Sequence, residues 1–376
     1  MQTPVLVTGT ARSGTTLLAR ILDARADATL ASDPYLPLMR ALRDAALAAA
    51  GLLPEQPLPI EDYYGTAERI ARMDAVQATQ PDALAADPAP LLDALAARAA
   101  HEAPDLAARM GELRGDTWGA LLRDAFALIA RVRGDAPIVG FKDVWSLEFA
   151  PALLRALPDA RVVVVRRDPR AIVASMQALA ADDAGPHGHV LSYARHWRKE
   201  AALLAHLRAD ERIVAVSYER LVADPEGELR RLCAALGIRF DEAMLAAGGF
   251  RDARGARWTA NSSYGARAAG ISRSSAERWR ETLDDDARAL VELVCGPDME
   301  AEGYQAGPVD RDAARRALAR DDAATPDWRS DLGDIDADLA LEDARRAALA
   351  ASGPVERPLF LFEAAFDRLV GQEARR

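Results

Sequence analysis

The chain has 376 residues, half of them hydrophobic, 6% aromatic and 28% charged, and its formal net charge at pH 7 is −11. This length favours one large α/β domain with helical additions, and the negative charge argues against nucleic acid as a partner, which needs a cationic surface. Two cysteines favour a reduced, cytoplasmic setting without a zinc or disulfide framework. No uncharged apolar run approaches the length of about 18 residues that a membrane span needs, so we expect no span. The first predicted strand begins at Pro4, so we also expect no signal peptide.

The first predicted elements are a buried strand, a polar loop and the start of a helix, over residues 5–18. Several backbone N–H groups and the positive end of the helix dipole then face one point, which suits a phosphate. The loop nearly fits the pattern G-x-x-x-x-G-K-[ST], with Gly9, Gly14 and Thr16 in place. Thr15 stands at the lysine position and Arg12 supplies a cation instead. We therefore predict a phosphate loop that is not built to hydrolyse ATP.

Hydrophobic periodicity predicts further elements along the chain. The predicted strands are Ala28–Ser32, Pro137–Lys142 and Ile213–Ser217, and the predicted helices are Gly14–Arg25, Leu147–Leu157, Val190–Ala209 and Glu226–Leu236. Residues 36–135 read as a mostly helical insert that is interrupted by prolines. Cys233 falls inside a predicted amphipathic helix, which indicates a buried thiol.

A second candidate phosphate site follows the four valines Val162–Val165, which predict a strand buried on both faces. Asp168 and Pro169 suit the cap and first position of the next helix. Arg167 then lies at the carboxyl end of the strand, the edge at which open α/β sheets bind ligands. Ser175 is two turns into the helix and reaches this edge only if the ligand runs along the helix.

The two segments together resemble those of the PAPS-dependent sulfotransferase family. In that family a basic-Ser-Gly-Thr-Thr loop holds the 5′-phosphosulfate of 3′-phosphoadenosine-5′-phosphosulfate (PAPS), and an arginine followed eight positions later by a serine holds the 3′-phosphate. The second spacing is that of Arg167 and Ser175. Val216–Leu221 is similar to the family's Tyr-Glu-x-Leu element, which implies that Tyr218 lies near the adenine. The loop match, which looks more like the bacterial branch, consists of Arg12, Ser13, Gly14, Thr15 and Thr16.

The resemblance spans roughly residues 3–304 and implies a three-layer P-loop-like fold, a parallel sheet flanked by helices. We expect residues 1–304 to form this α/β domain, with the insert 36–135 on the acceptor side, and residues 305–376 to form a helical C-terminal extension. The extension carries apolar residues in the ranges 358–362 and 366–370. These predict that it docks on the body of the protein or on a second copy of the chain, as a homodimer.

The resemblance implies transfer of a sulfuryl group from PAPS to a hydroxyl or amine of a small-molecule, sugar or lipid acceptor, with no metal. Arg12 is then the candidate for stabilising the leaving oxygen, and Lys142 matches a lysine that family members carry at this strand end. Asp143 and Val144 follow it, so the histidine base of the animal cytosolic enzymes is absent. Asp33 is the first candidate for the general base and Asp143 the second, although a turn before a proline explains Asp33 equally well.

Several alternatives remain open from the sequence. A kinase-like phosphotransferase using ATP and magnesium lacks its lysine but could use Asp143 or Asp168 for the metal, and a non-catalytic nucleotide-binding protein is a third reading. His187 and His189 could belong to an acceptor loop, although an exposed turn is the commoner explanation. Arg254, which precedes a glycine, is a loose counterpart of the family's second 3′-phosphate element. No motif identifies the acceptor.

Overall fold

The computed structural model describes residues 2–57, 60–182, 189–252, 254–258, 271–320, 334–351 and 353–373. Five parallel strands form one sheet. They are β1 (Thr3–Thr8), β2 (Ala28–Ser32), β3 (Ile138–Lys142), β4 (Arg161–Arg166) and β5 (Ile213–Ser217). Their order in the sheet is β2-β3-β1-β4-β5, so β1 lies between β3 and β4. The predicted parallel sheet flanked by helices is confirmed.

The register of the sheet brings the carboxyl ends of its strands to one edge. Ser32 pairs with Lys142 across β2 and β3, and Arg166 pairs with Ser217 across β4 and β5. Most strand residues are buried because helices cover both faces of a parallel sheet, and Val162–Val165 have no exposed surface. The loops that follow the strands therefore share the edge at which such sheets bind ligands.

The helices follow the sequence periodicity closely. In chain order they are α1 (Thr15–Asp23), α2 (Leu36–Ala49), α3 (Ala67–Ala78), α4 (Leu92–Glu102), α5 (Pro104–Ala107), α6 (Trp118–Arg133), α7 (Ala150–Ala156), α8 (Pro169–Asp182), α9 (Val190–Leu207), α10 (Tyr218–Ala223), α11 (Pro225–Leu236), α12 (Ser274–Glu277), α13 (Trp279–Thr282), α14 (Asp285–Ala301), α15 (Arg311–Leu318), α16 (Ile335–Ala351), α17 (Arg357–Phe360) and α18 (Glu363–Glu373). None of these described helices is both long enough and apolar enough to cross a membrane.

The predicted element ends differ from the observed ones where a local feature stops or starts a helix. The predicted helix Leu147–Leu157 is a 3₁₀ turn over Leu147–Phe149 followed by α7, because Pro151 fits the first turn of a helix but not its interior. The helix predicted from Glu226 begins one residue earlier, at Pro225. Asp224 caps it by accepting a hydrogen bond from the N–H of Gly227 (3.1 Å).

The chain divides into two compact units. The first comprises Met1–Leu53, Ala75–Arg167 and Asp210–Arg273 and holds the whole sheet. The second comprises Pro54–Asp74, Asp168–Ala209 and Ser274–Arg376. A division of the chain at residues 304 and 305 stays a prediction.

An apolar cluster of the second unit contains the residues that suggested docking of the C-terminal extension. Phe360 and Phe366 are in ring contact, with centroids 4.8 Å apart, and Ala301 of α14 packs against the cluster. The buried members are Leu349, Leu359, Phe360, Phe366 and Leu369. The extension therefore packs on its own chain, as one of the two alternatives predicted, whereas the homodimer stays a prediction.

Candidate active site

The loop between β1 and α1 has a glycine near each end, and both are required by their surroundings. Gly9 has φ 154°, and a Cβ atom there would lie 2.5 Å from the carbonyl oxygen of Val165. Gly14 has φ 103°, and a Cβ atom there would lie 2.4 Å from Cδ2 of Tyr218. Glycine adopts such φ values without steric cost. The two glycines therefore allow a tight loop that lies against β4 and the start of α10.

Polar groups of this loop have the arrangement of a phosphate site. Gly14 is the N-cap of α1 and no side chain caps the helix, so its first N–H groups lack intrahelical partners and carry the positive end of the dipole. Thr10 Oγ1 and Ser13 Oγ are buried without a hydrogen-bond partner among the described residues. Buried hydroxyls in this state call for a ligand or water. Thr15 is buried, whereas Thr16 is partly exposed.

The structure brings four of the predicted nucleotide-binding residues together. Nη1 of Arg167 donates to the carbonyl oxygen of Arg12 (2.8 Å). The guanidinium carbon of Arg167 also lies 4.5 Å from the centroid of the Tyr218 ring, whose edge packs against Gly14. The residue that follows β4 is therefore tied to the phosphate loop. Ser175 lies on α8 in the second unit, where its side chain is buried.

On the other side of β1, the ends of β2 and β3 bring two predicted catalytic residues, Asp33 and Lys142, into contact. The ammonium group of Lys142 donates to Oδ2 of Asp33, and the N–H of Asp33 donates to the carbonyl oxygen of Lys142 (2.6 Å). Arg98 of α4 donates through Nε to the carbonyl oxygen of Asp33 (3.2 Å), and its Nη2 lies 3.3 Å from Asp33 Oδ1. The candidate base is thus held by two cations, of which only Arg98 has a substantially exposed side chain.

Asp143 is fully buried beside this group. Its Oδ2 accepts a hydrogen bond from the N–H of Tyr35 (2.9 Å), and its Oδ1 has no partner among the described residues. Burial, reinforced by the negative charge of Asp33, raises the pKa of Asp143 to about 8. A carboxyl group that keeps its proton at neutral pH cannot accept another, which favours Asp33 over Asp143 as the base.

Trp145 is a residue of this edge that the sequence reasoning missed. Its N–H donates to the carbonyl oxygen of Gly9 (3.0 Å), and it is the one residue from Ile138 to Ala150 that is not buried. Of the five non-glycine residues with positive φ in the described chain, Trp145 (57°), Arg12 (68°) and Asp33 (48°) all lie at this edge. Left-handed backbone at non-glycine residues is strained and clusters at functional sites.

The sequence reasoning also missed Arg98. A sequence signal existed for Trp145 but not for Arg98. An aromatic residue three positions after a predicted strand end could have singled out Trp145. Nothing in the sequence around Arg98 distinguishes it from the other arginines of the insert, because its role depends on where α4 packs. Its contact with Asp33 joins residues 65 positions apart.

Other residues considered from the sequence have structural partners. Asp168 caps α8 and also holds Arg170 (Nη2 to Oδ2, 2.7 Å). His189 is buried and accepts the N–H of Leu191 at the start of α9 (3.1 Å), whereas His187 lies outside the described residues. Arg254 is in an exposed turn. Among the described residues, no group of three or more His, Cys, Asp or Glu side chains is arranged to hold a metal ion.

Comparison with known proteins gives several matches. A putative protein-tyrosine sulfotransferase of Caenorhabditis elegans is 28% identical over 121 residues, which are 31% of this chain and 47% of that protein. Carbohydrate sulfotransferase 7 of Mus musculus is 28% identical over 225 residues, 47% of this chain and 46% of that protein. The chain spans about half the length of the relatives it matches.

Among solved structures, the sulfotransferase domain from the Synechococcus PCC 7002 olefin synthase aligns with a TM-score of 0.46 and 18% identity, over 81% of this chain and 97% of that chain. The sequence profile of the sulfotransferase family matches residues 4–242, which hold all five strands and the phosphate loop. That range is well over half of the protein, and the chain belongs to the sulfotransferase family.

Proposed function

We propose that this protein transfers a sulfuryl group from PAPS to a hydroxyl or amine of a small-molecule, sugar or lipid acceptor. The observation that carries the proposal is the phosphate loop with its uncapped helix start and buried unpartnered hydroxyls, to which Arg167 is hydrogen-bonded. Family membership supports the reaction type. The loop has no P-loop lysine, which weighs against an ATP-dependent kinase.

The donor nucleotide would lie along the β1–β4 side of the edge. In this proposal the N–H groups at the start of α1, with Ser13, Thr15 and Thr16, bind the 5′-phosphate. Arg167 and Ser175 bind the 3′-phosphate, and Tyr218 lies near the adenine. The proximity of Arg167 to the loop supports this assignment, because the nucleotide's two phosphate groups are joined by a single ribose.

The transfer step then needs one base and several positive charges. The acceptor oxygen attacks sulfur and forms an S–O bond, while the bond between sulfur and the bridging oxygen of the 5′-phosphate breaks and leaves its electron pair on that oxygen. Arg12 stabilises this developing charge. Asp33 takes the acceptor proton, for which it has to yield part of its interaction with Lys142, and Lys142 then faces the charge on the sulfuryl oxygens.

The relatives guide the choice of acceptor, since their names refer to protein tyrosine and to carbohydrate. We therefore propose ring hydroxyls as the first acceptors to test. A cytoplasmic location is part of the proposal and is supported by two cysteines that are both free and buried. The reaction requires no metal in this scheme.

Thermal unfolding with nucleotides tests the proposal. A ligand that binds only the folded chain at about 100 times its Kd stabilises it by about 2.7 kcal/mol. We expect 3′-phosphoadenosine-5′-phosphate (PAP) to raise the Tm without metal, and AMP, ADP and ATP to have much smaller effects. A shift with ATP that requires magnesium would instead support a kinase, and no shift with any nucleotide would contradict nucleotide binding.

Arg12→Ala separates a catalyst from a binding protein. Because Arg12 acts on charge that develops in the transition state, we expect its loss to lower kcat by about 10²–10³ while PAP still raises the Tm. Arg114→Gln is the matched control, since Arg114 is an exposed arginine of the insert. Unchanged turnover in Arg12→Ala would remove Arg12 from the mechanism.

A further inference from the structure

Helices α2 and α4 of the first unit are in contact and carry three arginines, Arg40, Arg43 and Arg98, which we call the arginine cluster. Arg40 and Arg43 are three residues apart on α2 and so share one face of the helix. Arg98 reaches Asp33 from α4 (Nη2 to Oδ1, 3.3 Å). Burial, and after it the positive charges of Arg43 and Arg98, lower the pKa of Arg40. The guanidinium group of Arg40 is therefore close enough to those of Arg43 and Arg98 to be repelled by both.

The members of the cluster differ in their partners. Arg43 pairs with Asp44 (Nη2 to Oδ1, 2.9 Å), and Arg98 pairs with Asp33. Arg40 forms no ion pair within the part of the chain that the structure describes, and its Nε is buried without a hydrogen-bond partner there. One guanidinium of the cluster is thus left with unused donors.

The neighbouring carboxyl groups already have other partners than Arg40. Asp33 is shared by Arg98 and Lys142, and Asp44 pairs with Arg43. The raised pKa of Asp143 leaves that group mostly uncharged at pH 7. Like charges partly withdrawn from water disfavour the folded state, and perturbed charged groups of this kind concentrate at functional sites.

Two members of the cluster are accessible while Arg43 is buried, and the cluster is separate from the predicted 3′-phosphate site. Arg40 is partly exposed, and 40% of the Arg98 side chain is exposed. Asp33, which anchors Arg98, follows β2, whereas Arg167 follows β4 on the opposite side of β1. An anion bound by the cluster would therefore lie next to the candidate base rather than next to the nucleotide's 3′-phosphate.

We propose that the arginine cluster binds an anionic group, a carboxylate or a sulfate ester, carried by the acceptor molecule. The guanidinium fork matches such oxyanions in shape and charge, and Arg40 offers donors that no described residue uses. The inference rests on the proposed function, because it names the acceptor class of the same site: an alcohol or amine with a negative charge close to the group that is sulfated.

Paired probes of which one member carries a carboxylate and the other does not test this inference by calorimetry, with and without PAP. The pairs are 4-hydroxyphenylacetate with 4-methylphenol and methyl glucuronide with methyl glucoside. We expect the anionic member of at least one pair to bind about tenfold more tightly than its neutral partner. Arg40→Gln should abolish this preference and leave the Kd for PAP unchanged, whereas Arg114→Gln, which removes an arginine of the same insert, should leave both unchanged.

The outcomes separate this inference from the function on which it rests. Equal affinities within each pair, no binding of any probe, or a preference that survives Arg40→Gln would overturn the anion site. A loss of PAP affinity in Arg40→Gln as large as the loss of probe affinity would assign the arginine to the donor and overturn it too. If PAP fails to bind but the anion preference is present and is lost in Arg40→Gln, the site stands and the proposed donor is wrong.

Discussion

Gly14 and Gly237 both adopt the left-handed backbone conformation, but in different surroundings. Their φ and ψ angles are 103° and 12° at Gly14 and 70° and 26° at Gly237. A Cβ atom at Gly14 would lie 2.4 Å from Cδ2 of Tyr218, whereas no atom lies within 4 Å of that position at Gly237. Gly237→Ala therefore reports the backbone strain alone, which is about 1–2 kcal/mol. Gly14→Ala adds a clash within the phosphate loop, and we expect it to lower the Tm further and to abolish PAP binding.

A second substitution checks the cause of that loss. If the clash with the ring is responsible, Tyr218→Leu in the Gly14→Ala background should recover part of the Tm, because the smaller side chain can move away. Thermal unfolding of the four proteins in the cycle measures the coupling between the two positions. Additive effects would contradict the close approach of the ring to the loop.

The buried carboxyl of Asp143 makes stability depend on pH. The folded chain keeps a proton up to a pKa of about 8, whereas the unfolded chain releases it near pH 4, so the free energy of unfolding falls as pH rises between these values. Asn cannot ionise and can still accept the N–H of Tyr35. We expect Asp143→Asn to gain stability relative to the native chain as pH rises through this window, by about 1 kcal/mol or more.

Urea unfolding from about pH 5 to about pH 9 measures that difference. The charged groups that act on Asp143 include Asp33, Arg98 and Lys142, which stay in place in the variant. A stability difference that does not change with pH would show that Asp143 is ionised throughout this range in the folded protein.

At the scale of elements, the residue that follows β4 has two roles, one observed and one proposed, and one substitution can distinguish them. Arg167 holds the loop through the carbonyl oxygen of Arg12 and is the proposed 3′-phosphate ligand. Arg167→Lys removes the planar fork. If Arg167 binds the 3′-phosphate, we expect PAP affinity to fall by about tenfold more than AMP affinity, as measured by calorimetry.

Arg161→Lys is the matched control, because Arg161 begins the same strand at its opposite end and donates to the carbonyl oxygens of Asp159 and Ala160. It should leave both affinities unchanged. Equal losses of PAP and AMP affinity in Arg167→Lys would mean that Arg167 only positions the loop, and would remove it from the 3′-phosphate site.

The sequence predicted the secondary-structure elements better than it predicted the contacts between side chains that are distant in the chain. The bounds of β2 and β5 match the predicted ones, because each is a short strand whose ends are marked by polar residues. The phosphate loop was also predicted, since its glycines and its polar residues are consecutive. The pairing of Asp33 with Lys142 spans 109 residues and depends on β2 lying beside β3, so no local pattern indicates it. The same reason hid the arginine cluster, whose members come from α2 and α4.

For the whole molecule, the C-terminal range is part of a folded core. Phe360 is 1% exposed, packs against Phe366 and has the guanidinium of Arg345 5.1 Å from its ring. We expect Phe360→Ala to lower the free energy of unfolding by about 3–5 kcal/mol, measured by urea unfolding. Leu53→Ala, at a side chain that is 43% exposed, should change it by less than about 0.5 kcal/mol. Similar effects would mean that the range does not contribute to the core.

The central place of β1 in the sheet has a consequence for how such a chain can diversify. The proposed donor residues Arg167 and Tyr218 follow β4 and β5, whereas the proposed acceptor residues follow β2 and β3 or lie on the neighbouring helices α2 and α4. Under the proposed function, substitutions in those two helices alter which acceptor is bound and leave the donor residues unchanged. Descendants of one ancestral chain can then acquire new acceptors through changes confined to residues 36–102.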